Sequence, residues 1–164
     1  MSSKTFATSA DVDAIDLLTL DHDELAPLFN LYEALAAAGA PAQERRHVAE
    51  AICGLLQVHS LVEQEVFYPA ARRVLAEKYL VDEARMVHDI ARDLVDEILA
   101  GDPVEPRYDA RVRILQELIA QHVEEEESVL FPRIRRTSLD LDGLGAQMSA
   151  RRHTLQFTAE AAHA

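Results

Sequence analysis

His59–Pro69 reads HSLVEQEVFYP, and His122–Pro132 reads HVEEEESVLFP. Each stretch holds a histidine, a glutamate four residues later, a valine, two large apolar or aromatic residues and a proline. Four helical residues turn about 400°, so His59 and Glu63 share one helix face, and so do His122 and Glu126. Two such pairs facing each other place two imidazoles and two carboxylates inside a bundle. That arrangement is first of all a metal site.

The rest of the chain fits a helical bundle around this pair of motifs. Its 164 residues suffice for one domain with a core. Ala and Leu abound, Trp is absent and only five residues are Gly, a composition that favours helix. The net charge of −13 argues against a nucleic-acid backbone or an anionic membrane surface as partner. Its main consequence is solubility. The single cysteine, Cys53, excludes an intramolecular disulfide and a thiolate zinc site. It lies just off an apolar stripe and is expected to be a small packed side chain. No apolar run of about 18 residues is present, so no membrane span is expected. The opening MSSKTFATSADVDA has no apolar signal region, and a cytoplasmic protein is expected.

Helical periodicity divides the chain. Residues 1–10 are expected to be flexible, 11–136 to form the bundle, and 137–164 to form a C-terminal helix and tail. The first helix starts near Asp11 and carries Ile15, Leu18, His22, Leu25, Phe29, Tyr32 and Leu35 on one stripe. Pro27 is expected to interrupt or kink it, and Gly39 and Pro41 mark a turn. The second helix runs from about Ala42 to Leu75, with Val48, Ile52, Leu55, His59, Val62, Glu63, Val66 and Ala70 inward and a bend or early stop at Pro69. The third runs from about Val81 to Ala100, with Ala84, Val87, His88, Ala91, Leu94, Val95 and Ile98 inward. The fourth runs from about Arg107 to Arg136, with Leu115, Leu118, Ile119, His122, Glu126, Val129 and Leu130 inward. A weaker fifth helix comes next, in LDGLGAQMSARRHTLQFT, which Gly143 and Gly145 disfavour. The turns are short, so the fold class is all-α, an up-down-up-down four-helix bundle with an additional C-terminal helix. At ~1.5 Å per residue, His22 and His59 both lie roughly 25 Å from the turn that joins their helices, hence level with each other. His88 and His122 come out level by the same measure.

The two halves of the chain repeat in kind. His22 precedes His59 by 37 residues and His88 precedes His122 by 34. Asp23 adjoins His22, and Asp89 adjoins His88. The pattern is H…HxxxE…H…HxxxE, with His22, His59, Glu63, His88, His122 and Glu126 all on inward stripes. A single histidine on such a stripe usually bonds a neighbouring carbonyl or carboxylate. Four histidines and two glutamates at matched depth cost several kcal/mol in desolvation unless a cation satisfies them. Imidazole with carboxylate suits iron, manganese or zinc. Six protein groups exceed one tetrahedral zinc site, so two Fe(II) ions with two bridging glutamates and two histidines each is the natural division. The sites need neutral imidazoles, so acid should release the metal.

At these residues the chain resembles the hemerythrin-like HHE cation-binding family, over about Asp11–Arg136. The resemblance implies a four-helix bundle around a non-haem di-iron centre, able to take an oxo or hydroxo bridge on oxidation, with zinc or manganese as alternative occupants. It implies that His22, His59, His88 and His122 are terminal ligands and that Glu63 and Glu126 bridge. Oxygen-carrying hemerythrins have H-x-x-x-H on the third helix, where this chain has Ala84 and Arg92 at that spacing from His88. They also carry an Asp five residues after the last histidine, where this chain has Glu126 four residues after. Both departures point away from simple oxygen carriage. They leave a position for water, peroxide or NO, or for Tyr32, Glu24 or Glu125.

The remaining polar residues read as surface. His47, His153 and the tail residue His163 are peripheral, and Glu44–His47 is a lone E-x-x-H element without a partner copy. Glu124–Glu127 is a solvated run with Glu126 its inward member. Phe67, Tyr68 and Phe131 are expected to be core plugs at one end of the bundle. Three functions are compatible with these residues: binding or sensing of iron, O2 or NO; a di-iron oxidoreductase acting on peroxide or NO; or a redox-inactive, zinc-stabilised bundle. No separate acid, base or nucleophile constellation is present, so any catalysis would be that of the metal.

Overall fold

The computed structural model describes residues 12–162, and among these there is no strand. The expected flexible segment 1–10 and the start at Asp11 lie outside the described residues, as do 163–164. Helix α1 spans Ala14–Ala37, and Asp13 caps it by accepting the Asp16 N–H at 2.9 Å. The helix passes through Pro27 without a break. Its C-terminal turn closes on Gly39 at φ +66, a backbone state glycine adopts without Cβ strain.

The second rod is α2 (Ala42–Val62), a π turn π1 (Glu63–Phe67), and α3 (Tyr68–Val74). The third is α4 (Tyr79–Ala100). The fourth is α5 (Pro106–Glu125), a second π turn π2 (Glu126–Leu130), and α6 (Phe131–Arg135). Helix α7 spans Leu141–Ala162. α1 packs on α2 and α5, and α4 packs on α2 and α5, which closes the four-helix bundle; α7 lies against α1, α2 and π1.

The π turns correct the expected stripes. Pro69 and Pro132 do not stop their rods. Each sits at the start of the helix after a π turn, where its missing N–H and its ring no longer disrupt an α-helical ladder. The Tyr68 N–H bonds the Glu63 carbonyl and the Phe131 N–H bonds the Glu126 carbonyl, five residues back in each case. One extra residue per turn rotates the downstream helix about its axis. Phe67, Tyr68 and Ala71 are therefore buried, while Val66 is only half-buried. In the same way Leu130 and Phe131 are buried and Val129 is half-buried. On α2, Cys53 and Leu56 carry the core rather than Leu55.

Two apolar clusters fill the bundle. One gathers Leu18, Val62, Phe67, Tyr68, Phe131, Ile134, Leu144 and Met148; the other gathers Phe29, Ile52, Leu56, Val95, Tyr108 and Leu115. The six buried polar side chains lie between them along every rod. α7 is a full helix despite its glycines, and Gly145 has a packing reason. A Cβ there would lie 2.9 Å from the Ala14 nitrogen and 3.0 Å from the Asp13 carbonyl carbon, so glycine lets α7 close on the start of α1.

Candidate metal centre

Each rod presents its polar residues at the same level because helical spacing puts them on the buried stripe. His22, His59, Glu63, His88, His122 and Glu126 are all at most 5% exposed. The six residues expected from the sequence are therefore brought together. Glu63 Oε2 lies 3.1 Å from His59 Nε2 and 3.1 Å from His88 Nε2. Glu126 Oε2 lies 3.4 Å from His22 Nε2 and 3.5 Å from His122 Nε2. Each carboxylate thus spans a histidine of the first half of the chain and one of the second.

The ligating atoms form two overlapping groups, each drawn within 4.8 Å: His22, His59, Glu63 and Glu126 in one, and Glu63, His88 and His122 in the other. Two of these groups' atoms, His22 Nε2 and Glu126 Oε2, are buried without a hydrogen-bond partner, as is Glu63 Oε1. Orphaned acceptors of this kind are expensive in an apolar interior, and cations facing them remove the cost. The donor set, imidazole nitrogens and carboxylate oxygens, fits iron, manganese or zinc.

The electrostatics of the metal-free cluster say the same. Burial alone would push the Glu63 carboxyl up, but His59 and His88 hold it well below the usual carboxylate range. Burial disfavours the His59 imidazolium, yet Glu63 and Asp21 outweigh it and push the group up to about 10. Burial disfavours the His22 imidazolium too, but the Glu126 carboxylate 3.4 Å from its Nε2 outweighs it and raises the group. Burial pulls His122 down. Without metal the buried carboxylates hold protons on neighbouring imidazoles, and a metal ion must displace those protons.

Several contacts were not legible as site features in the sequence. Tyr68, expected as a core plug, points its hydroxyl into the cluster. It donates to Glu126 Oε1 at 2.7 Å and lies 3.1 Å from His88 Nε2 and 3.4 Å from Glu63 Oε2. Burial and the two carboxylates raise its phenol well above the ordinary value, so it remains a hydrogen-bond donor. Phe131, its counterpart in the repeat, instead stacks on His22 with centroids 6.0 Å apart and planes 6° apart. The His59 Nδ1–H donates to Asp21 Oδ2 at 2.9 Å, and the His22 Nδ1–H donates to Glu127 Oε1 at 2.8 Å. Asp23 and Asp89, which the repeat singled out, are exposed; Asp89 pairs with Arg92. The only sequence signal for Asp21 and Glu127 is that each adjoins a member of the cluster.

Neither Tyr32 nor Glu24 enters the site, and Glu125 lines a small cavity beside His122 and Glu126. Tyr32 donates to Asp109 at 2.6 Å, in a group with Arg45 that ties α1, α2 and α5 together. Glu24 is exposed, and Glu125 is exposed and accepts from Gln121. Ala84 is buried and has no ligating atom. His47, Glu44 and His153 are exposed as expected. Cys53 is buried, and burial pushes its thiol up to about 12, which leaves it unreactive. Among the described residues no helix is long and apolar enough to cross a membrane.

Comparison with known proteins places this geometry. The family model of the hemerythrin HHE cation binding domain matches residues 13–134. A DNA nickase of Nostoc sp. (strain PCC 7120 / SAG 25.82 / UTEX 2576) is 30% identical over 128 residues, which cover 76% of this chain and 34% of that protein. The chain therefore spans about a third of the length of that relative. The crystal structure of a hemerythrin HHE cation binding domain-containing protein from Mycobacterium kansasii superposes with a TM-score of 0.73 over 90% of each chain, at 24% identity. With the bundle, the two H-x-x-x-E motifs and the match across both halves agreeing, the chain is a member of the hemerythrin HHE cation-binding family.

Proposed function

We propose that the protein holds a non-haem di-iron centre that binds or senses a small ligand such as O2 or NO. His22 and His59 would hold one ion, His88 and His122 the other, and Glu63 and Glu126 would bridge. The observation that carries this reading is the contact of each buried carboxylate with one histidine from each pair. That is the arrangement two bridged cations need. When bound, paired iron supplies redox chemistry and Lewis acidity at a small ligand.

The chain's own residues prepare the surroundings. Apolar layers above and below exclude bulk water. A cavity of about 90 Å³ reaches the cluster beside Ala84, His122 and Glu126. A water molecule claims ~30 Å³ of liquid, so a diatomic or peroxide fits there. Ala84, one of the two positions at the spacing of the absent fifth histidine, lines that opening. Tyr68 stands beside His88 and Glu126 as a hydrogen-bond donor.

A second reading, turnover of peroxide or NO, is favoured by one observation: Tyr68 places a protonated phenol inside the cluster, where it could orient a small ligand by hydrogen bonding. Metal analysis with an optical spectrum, in air and after reduction, tests the first reading. Two irons per chain with an absorption that bleaches on reduction are expected; zinc in protein from an iron-sufficient source, with no iron uptake, overturns it. Steady peroxide consumption by the iron-loaded protein, lost in His59→Ala, favours the enzyme, whereas stoichiometric reversible NO binding without turnover favours the sensor.

A further inference from the structure

We propose that the two ion positions are unequal, and that Asp21 and Glu127 make the His22/His59 position the tighter one, with Arg152 of α7 holding Asp21 in place. This rests on the two-ion reading above. Both histidines of the first position donate Nδ1–H to a carboxylate, His59 to Asp21 at 2.9 Å and His22 to Glu127 at 2.8 Å. Such a partner fixes the tautomer that leaves Nε2 free for a metal, orients the ring and makes it a stronger donor. The second position has no such backing. His88 Nδ1 is buried without a partner. His122, among the described residues, meets a carboxylate only through Nε2.

The backing is itself anchored from outside the four-helix core. The Arg152 guanidinium bonds the same Asp21 Oδ2 that accepts from His59. Arg151 bonds Glu65 in π1 through two of its nitrogens, and Leu144 and Met148 of α7 are buried in the core. The fifth helix therefore fixes the orientation of a histidine through Asp21. Asp21, with its side chain 15% exposed, is better shielded than Glu127 at 40%, so it should contribute more of the difference. Asp21, Glu127 and Arg152 are positioning residues.

Titration of the chelator-stripped full-length protein with Co(II), followed by visible absorption and calorimetry, tests this. Two resolved steps are expected, the first at least tenfold tighter. Asp21→Asn keeps the shape and an acceptor but removes the charge. It should weaken the first step by about 10–100-fold, the usual cost of losing such a partner, and leave the second within about threefold. Glu127→Gln should do the same to a smaller degree. Arg152→Ala should weaken the first step less than Asp21→Asn, and Arg152→Lys should restore most of it. In His88→Ala the tight step should survive with its spectrum intact; in His22→Ala it should vanish. Two ions of indistinguishable affinity, or equal weakening of both steps by Asp21→Asn in protein of unchanged helicity, overturn the inference while leaving the two-ion reading standing. Binding of fewer than two ions overturns that reading, and this inference with it. Should Asp21→Asn not fold, Glu127→Gln, at a half-exposed side chain, decides alone.

Discussion

Tyr68 donates its phenolic hydrogen to Glu126 across 2.7 Å, joining the residue just after one π turn to the first residue of the other. The two copies of the repeat thereby touch through a position at which they differ, Tyr68 against Phe131. Phe131, which matches Tyr68, has no hydroxyl to return the contact and stacks on His22 instead. Each half of the chain supplies two histidines and one glutamate, but only the first supplies a phenol.

Tyr68→Phe tests what that hydroxyl supplies. Phenylalanine fits, since the matching position in the repeat holds one. Without metal, the variant leaves buried Glu126 short of a donor, and a loss of about 1–3 kcal/mol is expected. With metal bound, the carboxylate has another partner and the loss should shrink below about 1 kcal/mol. Denaturant unfolding with chelator and with metal measures both. An equal loss in the two states would show that the hydroxyl does not serve the carboxylate.

Glu63→Ala should remove both ions. The carboxylate lies 3.1 Å from a histidine of each pair, so its loss strips an oxygen from both positions. Metal content is expected to fall below one ion per chain, with helicity retained. His122→Ala should lose one ion and keep the other. Retention of two ions by Glu63→Ala, read by elemental analysis, would rule out a bridging role.

The metal-free protein should lose stability as pH rises. Burial lowers the His59 imidazole, but Glu63 and Asp21 outweigh it and raise the group from an ordinary value near 6.5 up to about 10. A proton held more tightly in the folded state stabilises it; that contribution is complete below about pH 6.5 and is gone once the pH has risen through about 10. Thermal unfolding in chelator should therefore show a falling Tm across that window, and Asp21→Asn should flatten the slope. Metal-loaded protein should behave oppositely at the acid end, since protons compete with the ions and release them. A metal-free Tm that rises from neutral pH to pH 10 would contradict this assignment.

Two glycines separate close packing from open space. Gly145→Ala puts a Cβ 2.9 Å from the Ala14 nitrogen, against backbone that cannot swing away. A cost of about 1–3 kcal/mol and loosening of α7 are expected. Gly54 has nothing within 4 Å of an added Cβ and sits inside α2. Gly54→Ala should stabilise by about 0.5–1 kcal/mol. Chemical denaturation of both variants checks the pair, and a neutral Gly145→Ala would mean that α7 is not seated as described.

The six clustered residues were readable because each lies on a stripe whose period is local. His59 and Glu63 share a face whatever else the chain does, and His22 and His88 fall level by counting residues from short turns. The same counting failed one turn later. It placed Val66 and Val129 inward and treated Pro69 as a bend, whereas the π turns advance each rod by one residue, leave those valines half-buried and seat Phe67, Tyr68 and Phe131 in the core, as expected for them. Gly143 and Gly145 weighed against a fifth helix by propensity, and packing against α1 overrode them.

The amino-acid order thus sets the bundle, the level of the cluster and the identity of its imidazoles and carboxylates, since these depend on helical period and turn length. Which side chains support that cluster depends on how the rods rotate and where they touch. Tyr68 meets a partner 58 residues away, His59 one at 38, His22 one at 105 and Arg152 one at 131. Contacts at such separations are set by the π-turn register and by the seating of α7 through Gly145. Those rest on the packing of whole helices, which no local pattern encodes.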